Sequence, residues 1–304
     1  MRRMNTRQAE MLYASLLVCS MVATACSPQN LSIPTSTNLP PTASAPPTPL
    51  PTHSPLPPTP LTPVPLSCLK RPGRIEQGSL DSFKPAQEFR LYLPPCYDEK
   101  TDERYPVLYL LHGQTYTDDQ WVRLGAARVL DELIHTGEVQ PFLMVFPDDR
   151  HWNLQAGAGF GERLVKDIVP YIDANYRTIP NRDHRSIGGL SRGAGWALEL
   201  GLAEWKLFGA IGLHSLAVLQ GDASRIGKWL ADIPPLARPP LFMDIGDNDQ
   251  ELEMARQVES IFNDAGLPHE WHLYSGAHTE AYWSGHVEEY LRWYAEQWEE
   301  KQVN

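Results

Sequence analysis

Arg185-Ser186-Ile187-Gly188-Gly189-Leu190-Ser191-Arg192-Gly193-Ala194-Gly195-Trp196-Ala197-Leu198 is the stretch that decides the fold. It holds a G-x-S-x-G pattern, with Gly189 two residues before Ser191 and Gly193 two after. A serine so placed sits on a sharp strand-to-helix turn. Larger side chains at the flanking positions would collide where the strand leaves and the helix begins. The pentapeptide alone also fits a glycine-rich turn with a solvent serine. Its weight comes from its surroundings: a buried-strand run, Ser186–Gly189, precedes it and a helix-compatible run from Arg192 to about Leu202 follows. Ala194 and Gly195 allow that helix to pack close beneath a sheet.

Outward from this turn, strand and helix patterns alternate. Phe89–Leu93, Val107–Leu111, Phe142–Phe146, Phe208–Leu213, Leu241–Ile245 and Trp271–Tyr274 read as strands, and Val107–Leu111 is wholly apolar, as a central strand should be. Ala126–His135, Gly161–Asn175, Glu251–Asp264 and Val287–Gln297 read as helices; Leu164, Ile168 and Ile172 share one buried face. Alternation of this kind predicts an α/β domain over 67–304 with a mostly parallel central sheet and helices on both faces. Ligands of such sheets bind at the carboxyl ends of the strands.

A serine hydroxyl needs a base, and the base needs a carboxylate to orient it. His269 and His272 lie in or beside a strand, three apart, and so face opposite sides of the sheet, which also argues against a zinc pair. His278 follows Tyr274-Ser275-Gly276-Ala277, just past a strand's carboxyl end, and is the candidate base; His286, read as starting the last helix, is the runner-up. For the acid, Asp244 lies within the strand Leu241-Phe242-Met243-Asp244-Ile245-Gly246, too early for the loop. Asp247 and Asp249 both follow Gly246, spacing alone does not separate them, and either could cap the helix near Glu251.

The run Phe89-Arg90-Leu91-Tyr92-Leu93-Pro94-Pro95-Cys96-Tyr97 and the run Tyr105-Pro106-Val107-Leu108-Tyr109-Leu110-Leu111-His112-Gly113 resemble the opening of the esterase D / feruloyl esterase / antigen 85 mycolyltransferase family. The similarity continues through Val169-Pro170-Tyr171-Ile172-Asp173 and Gly188-Gly189-Leu190-Ser191 to Gly276-Ala277-His278, with Trp283 five residues later. It covers residues 88–298. The resemblance implies the α/β-hydrolase fold and no metal or organic cofactor. Its glycine-x-x-aspartate acid falls on Asp249. The family's oxyanion donors are backbone amides, here those of Arg192 and Gln114. Two departures stand out: Arg192 and Ala194 replace a methionine and a glycine, and Gly113-Gln114-Thr115-Tyr116 lacks extra glycines found in many members. A guanidinium at the mouth would alter acyl or alcohol preference. The expected activity is that of a serine carboxylic-ester hydrolase acting through an acyl-enzyme on carbohydrate-linked acetyl or feruloyl esters. An acyltransferase to a sugar hydroxyl and an inactive surface-binding module are the alternatives.

The chain's beginning bears on place. Arg2, Arg3 and Arg7 precede an almost wholly apolar run, Met11–Val22, then Ala23-Thr24-Ala25 and Cys26. Residues 1–25 read as a secretory signal of the lipoprotein type, with Cys26 as the lipidated mature N-terminus and simple secretion as the alternative. Residues 26–66 form a linker: Ser27–Leu66 contains no Asp, Glu, Lys or Arg and holds half of the 28 prolines. It cannot bury enough apolar surface to offset ordering and should act as a semi-rigid spacer. At roughly 3.1 Å per residue, about 40 residues reach at most about 120 Å. That suits an envelope polymer better than a diffusing cytosolic thioester. In an oxidising compartment, Cys68 and Cys96, the two cysteines left in the folded part, are expected to pair. The whole chain carries −11, and losing three arginines and Glu10 with the signal takes it to −13, which disfavours nucleic acid as a partner. Oligomeric state leaves no mark in the sequence. If the anchor reading holds, Cys26→Ser will release the protein from the membrane fraction or stall its processing, with catalysis by the folded domain unchanged. Cell fractionation checks this, and a variant as membrane-bound and as fully processed as its parent removes the anchor.

Overall fold

The computed structural model describes residues 67–149 and 159–299; the signal 1–25, Cys26 and the linker 26–66 lie outside the described residues. One sheet carries eight strands: β1 (Arg74–Leu80), β2 (Gln87–Leu93), β3 (Val107–Leu111), β4 (Leu143–Pro147), β5 (Arg185–Leu190), β6 (Ala210–His214), β7 (Leu241–Gly246) and β8 (Glu270–Tyr274). Their spatial order is β1-β2-β4-β3-β5-β6-β7-β8, with β1–β2 and β2–β4 antiparallel and the remaining pairs parallel. From β3 the chain crosses outward to β4, whereas from β5 it proceeds the other way to β6. The direction therefore reverses between the neighbours β3 and β5, and a crevice opens at their carboxyl ends.

Helices α1 (Gln120–Arg123), α2 (Ala126–Thr136), α3 (Phe160–Arg163), α4 (Val169–Asn175), α5 (Arg192–Ala203), α6 (Ile226–Asp232), α7 (Leu252–Asp264) and α8 (Glu280–Glu299) cover both faces. A π-helical turn, Leu164–Ile168, joins α3 to α4. Strands β3 to β7 are buried along their whole lengths, which is why their sequences read as continuous apolar runs. Alternate residues serve opposite layers. Tyr109, Leu111 and Ile187 pack with α4, α5 and α7, whereas Leu108, Leu110 and Phe142 pack with α2 and α8. The fold is the α/β-hydrolase arrangement that the sequence predicts.

The short helices α1 and α6 lie outside the predicted elements, and β1 and α8 also differ from expectation. Strand β1 was not foreseen, because Arg-Ile-Glu-Gln-Gly-Ser-Leu is half-exposed at the sheet edge and is held by pairing with β2 rather than by an apolar face. Helix α8 starts at Glu280, not at Val287, so His286 lies inside it rather than at its start. Burial of Tyr282 and Trp283 holds the first turns helical despite Ser284 and Gly285.

Cys68 and Cys96 form a disulfide, with Cα atoms 5.0 Å apart. It clips the segment before β1 to the turn after β2. Because β2 runs against the parallel strands, this clip lies at their amino ends, away from the crevice. The bond closes a loop with a sequence separation of 28, for which chain entropy gives about 3.5 kcal/mol. Cys68→Ser/Cys96→Ser should therefore lower Tm by roughly 10 °C, measured by circular dichroism, with turnover at 25 °C nearly unchanged.

Candidate active site

Ser191 joins β5 to α5 with φ 54° and ψ −121°, a conformation that side chains rarely adopt. A Cβ on Gly189 would stand 2.4 Å from the Gly193 carbonyl carbon, and one on Gly193 would stand 2.2 Å from the Leu111 oxygen. Both contacts are impossible, so glycine at these positions is what lets α5 start against β3 and β5. The backbone strain at Ser191 is of the order of 1–3 kcal/mol. It is held by the Ser191 amide donating to the His214 carbonyl at 2.9 Å and by the Ser191 carbonyl accepting from Ala217 at 3.2 Å.

The loops after β7 and β8 meet this turn. His278 Nε2 lies 2.8 Å from Ser191 Oγ, and His278 Nδ1 lies 2.9 Å from both Asp249 oxygens. A proton on Nδ1 faces the carboxylate, which leaves Nε2 free to accept from the serine. The Asp249 side chain is fully buried while His278 keeps 18% exposure, so the pair is sheltered and still open to a ligand. Burial pushes the Asp249 carboxyl upward, but hydrogen bonds from His278, the Glu251 amide and Ser215, with the His278 charge, bring it below the usual carboxylate range. Asp249 thus also takes the amide just ahead of α7, at 2.8 Å.

Asp247 has a different task. Its Oδ1 accepts from the Gly276 amide at 3.0 Å, while Asn248 donates its own amide to the Gly276 carbonyl at 2.8 Å. These bonds stitch the acid's loop to the histidine's loop. Asp244 is inside β7, fully buried. His286 pairs with Glu289 at 3.2 Å; His269 meets Phe262 edge-on and His272 stacks on Phe242, on opposite sides of the sheet. No group of three metal-ligating side chains capable of holding an ion occurs among the described residues.

Arg192 is the first residue of α5, where helix amides have no partner within the helix. Gln114 occupies a turn closed by Tyr116 donating to the Gly113 carbonyl at 3.2 Å. A Cβ built on Gly113 would lie 3.7 Å from Ser191 Cβ, so this turn abuts the serine. The Arg192 guanidinium pairs with Asp149, just past the carboxyl end of β4, its Nε donating to Oδ2 at 2.7 Å.

Sequence reasoning missed Ser215 and gave Trp283 no role beyond the resemblance. Ser215 follows β6 at φ 49°, wholly buried, and accepts from Trp283 Nε1 at 2.9 Å. An indole donates only, so the hydroxyl proton is left for Asp249. Trp283 also packs its ring edge-on to His278, centroids 5.0 Å apart. A polar residue just past a strand's carboxyl end was the available signal, but nothing local tied it to Asp249.

This fold, with a buried acid, an imidazole and a strained serine in hydrogen-bonded series at the switch crevice, defines an enzyme of the α/β-hydrolase type. Residues 81–294 match the family Esterase, described as "Putative esterase", and the chain belongs to that family. It is 28% identical over 202 residues to an endo-1,4-beta-xylanase/feruloyl esterase of Xylanibacter ruminicola, covering 62% of this chain and 27% of that protein. It is 31% identical over 142 residues to an esterase of Mycobacterium tuberculosis, covering 43% of this chain and 30% of that one. The chain thus spans less than a third of these relatives' lengths. A solved ferulic acid esterase superposes with a TM-score of 0.66 at 24% identity, covering 74% of this chain and 98% of that one. Replacing Asp249 with Asn should cost turnover about 10³-fold or more, since the imidazole loses its orienting anion. Asp247→Asn keeps its acceptor oxygen and should cost less than tenfold; steady-state kinetics with a p-nitrophenyl ester separates the two, and equal losses would overturn these roles.

Proposed function

We propose that this protein hydrolyses carboxylic esters through an acyl-enzyme on Ser191. The observation that carries this reading is the unbroken series from Ser191 Oγ to His278 Nε2, 2.8 Å, and from His278 Nδ1 to Asp249, 2.9 Å. His278 takes the serine proton as Oγ attacks the ester carbonyl, then returns it to the departing alcohol; water repeats the sequence to free the acid. Asp249 holds the imidazole in its Nδ1-protonated form and balances its charge. The amides of Arg192 and Gln114 receive the developing oxyanion, and losing one such donor costs about 3 kcal/mol.

The substrates we favour are acetyl or feruloyl esters linked to carbohydrate. The xylanase/feruloyl esterase relative and the ferulic acid esterase neighbour support the acyl part. Support for the carbohydrate part comes from the reading of residues 1–66 as export signal, lipid site at Cys26 and spacer, with 67–304 as the catalytic domain. No helix among the described residues is long and apolar enough to cross a membrane. Ser191→Ala should lower turnover of p-nitrophenyl acetate and methyl ferulate by about 10³-fold or more with unchanged circular dichroism. A variant keeping a tenth of parental turnover removes Ser191 from the mechanism. Ester cleavage that rises with added sugar while acyl-sugar accumulates would mark an acyltransferase instead.

A further inference from the structure

Arg192 and Gln114, whose amides face the oxyanion in the reading above, belong to separate loops. One begins α5; the other follows β3. A continuous set of hydrogen bonds joins them through the loop after β4. Arg192 Nε donates to Asp149 Oδ2 at 2.7 Å, and Trp196 Nε1, one turn further along α5, donates to the same oxygen at 2.6 Å. The Asp149 backbone amide donates to His112 Nε2 at 2.7 Å. An amide cannot accept, so Nε2 carries no proton, and the ring proton on Nδ1 donates to the Gly113 carbonyl, 2.7 Å away. That carbonyl belongs to the peptide unit whose N–H is the Gln114 donor. In a trans peptide, C=O and N–H point in opposite directions. Fixing the carbonyl on His112 and on the Tyr116 amide therefore fixes the Gln114 N–H away from them.

We propose that Asp149 is a positioning residue that sets the spacing of the two oxyanion donors, with its carboxylate gripping the α5 end and its backbone gripping the β3 loop through His112. The proposal rests on the esterase reading.

Two features of Asp149 argue that it is kept for position rather than for stability. Its side chain is 2% exposed, yet Oδ1 makes no hydrogen bond among the described residues. Burial pushes this carboxyl upward despite the opposing pull of Arg192 and Trp196. A buried ion pair with one oxygen unsatisfied adds little to folding compared with an apolar contact of the same shape. Arg192 is also the position where the chain departs from the methionine of the family it resembles. The guanidinium stacks 5.6 Å from the Trp196 ring centroid and is 16% exposed. Asp149, Arg192 and Trp196 thus form one unit against the first turn of α5.

The test uses the purified protein, a p-nitrophenyl ester and phenylboronic acid. The boronic acid adds to Ser191 Oγ and places a tetrahedral oxygen at the donors. Asp149→Asn keeps the shape, the backbone bond to His112 and an acceptor for Trp196 but removes the charge that grips Arg192. It should lower kcat about 10–100-fold, leave KM within about twofold, and weaken boronate binding by the same factor as kcat. Arg192→Met should act likewise, and Asp149→Asn/Arg192→Met should cost less than the product of the single losses. If Asp149→Asn does not fold, Arg192→Met alone carries the expectation, because the arginine sits at the more exposed end of the pair. A variant that keeps kcat within about threefold, or loses kcat while binding boronate as tightly as the parent, overturns the proposal. A parent protein that neither cleaves esters nor binds boronate overturns the esterase reading itself, whatever the variants do.

Discussion

The close approach of three backbones around Ser191 is the constraint on which the rest depends. β3, β5 and the start of α5 touch without intervening side chains, since Gly189 and Gly193 stand where any Cβ would overlap backbone atoms. This contact forces Ser191 into its strained conformation, and the strain presents Oγ at the mouth of the crevice instead of into the sheet. It also brings the end of β3 beside the serine, so that the Gly113–Tyr116 turn abuts it. Strain of this size persists only when neighbours over-determine it. Here the carbonyl of His214 and the amide of Ala217 hold the serine backbone from the β6 side. The serine is thus held by hydrogen bonds from the β6 side and abutted by the turn after β3.

The residues just past β6 extend that grip to the acid. His214 binds the serine amide through its carbonyl, the Ser215 hydroxyl adds to the pull that lowers the Asp249 carboxyl, and Ser215 donates its own amide to the Asp244 carbonyl at 2.8 Å. One short segment thereby bears on both Ser191 and Asp249, and Trp283 donates to the Ser215 hydroxyl while flanking His278. The positive φ at Ser215 has the same meaning as that at Ser191: packing around it outweighs a local cost. Two strained serines at the carboxyl ends of adjacent strands are the backbone signature of this site.

The signals legible in the sequence were local ones. The glycine spacing around Ser191, the apolar runs of β3 and β7, and a histidine just beyond the last strand each reflect a steric rule acting within a few residues. Choosing Asp249 over Asp247 needed the family resemblance, because both lie on the same loop and differ only in which way the turn aims them. The sequence could not reveal Asp149 and Ser215, whose partners lie 43 and 68 residues away. Strand β1 escaped for a related reason: its pairing with β2 supplies what its exposed, polar sequence does not advertise. The early start of α8 is set by Tyr282 and Trp283 finding burial, a tertiary gain that outweighs the weak helix preference of Ser284 and Gly285.

A second Asp–His pair sits below the first and sharpens what makes the first one a site. His214 Nδ1 lies 2.7 Å from Asp244 Oδ1, a contact shorter than the 2.9 Å between His278 and Asp249. Pair geometry alone does not distinguish them. Asp244 Oδ2, however, accepts the hydroxyls of Tyr282 at 2.8 Å and Tyr290 at 2.7 Å, and Tyr294 lies 3.3 Å from His214 Nε2. Burial, with the Asp244 charge, holds all three phenols far above their usual range, so they remain donors. Every polar atom of that lower pair is committed, both residues are fully buried, and Tyr290 covers the imidazole face at 3.7 Å. It ties β6, β7 and α8 into a rigid floor. In the upper pair, Nε2 of His278 faces a serine at the open crevice. What separates the imidazole that supports the fold from the one at the crevice is therefore the partner of its second nitrogen and its remaining exposure, and of these two pairs it is His278 that has a serine on Nε2 and an open side.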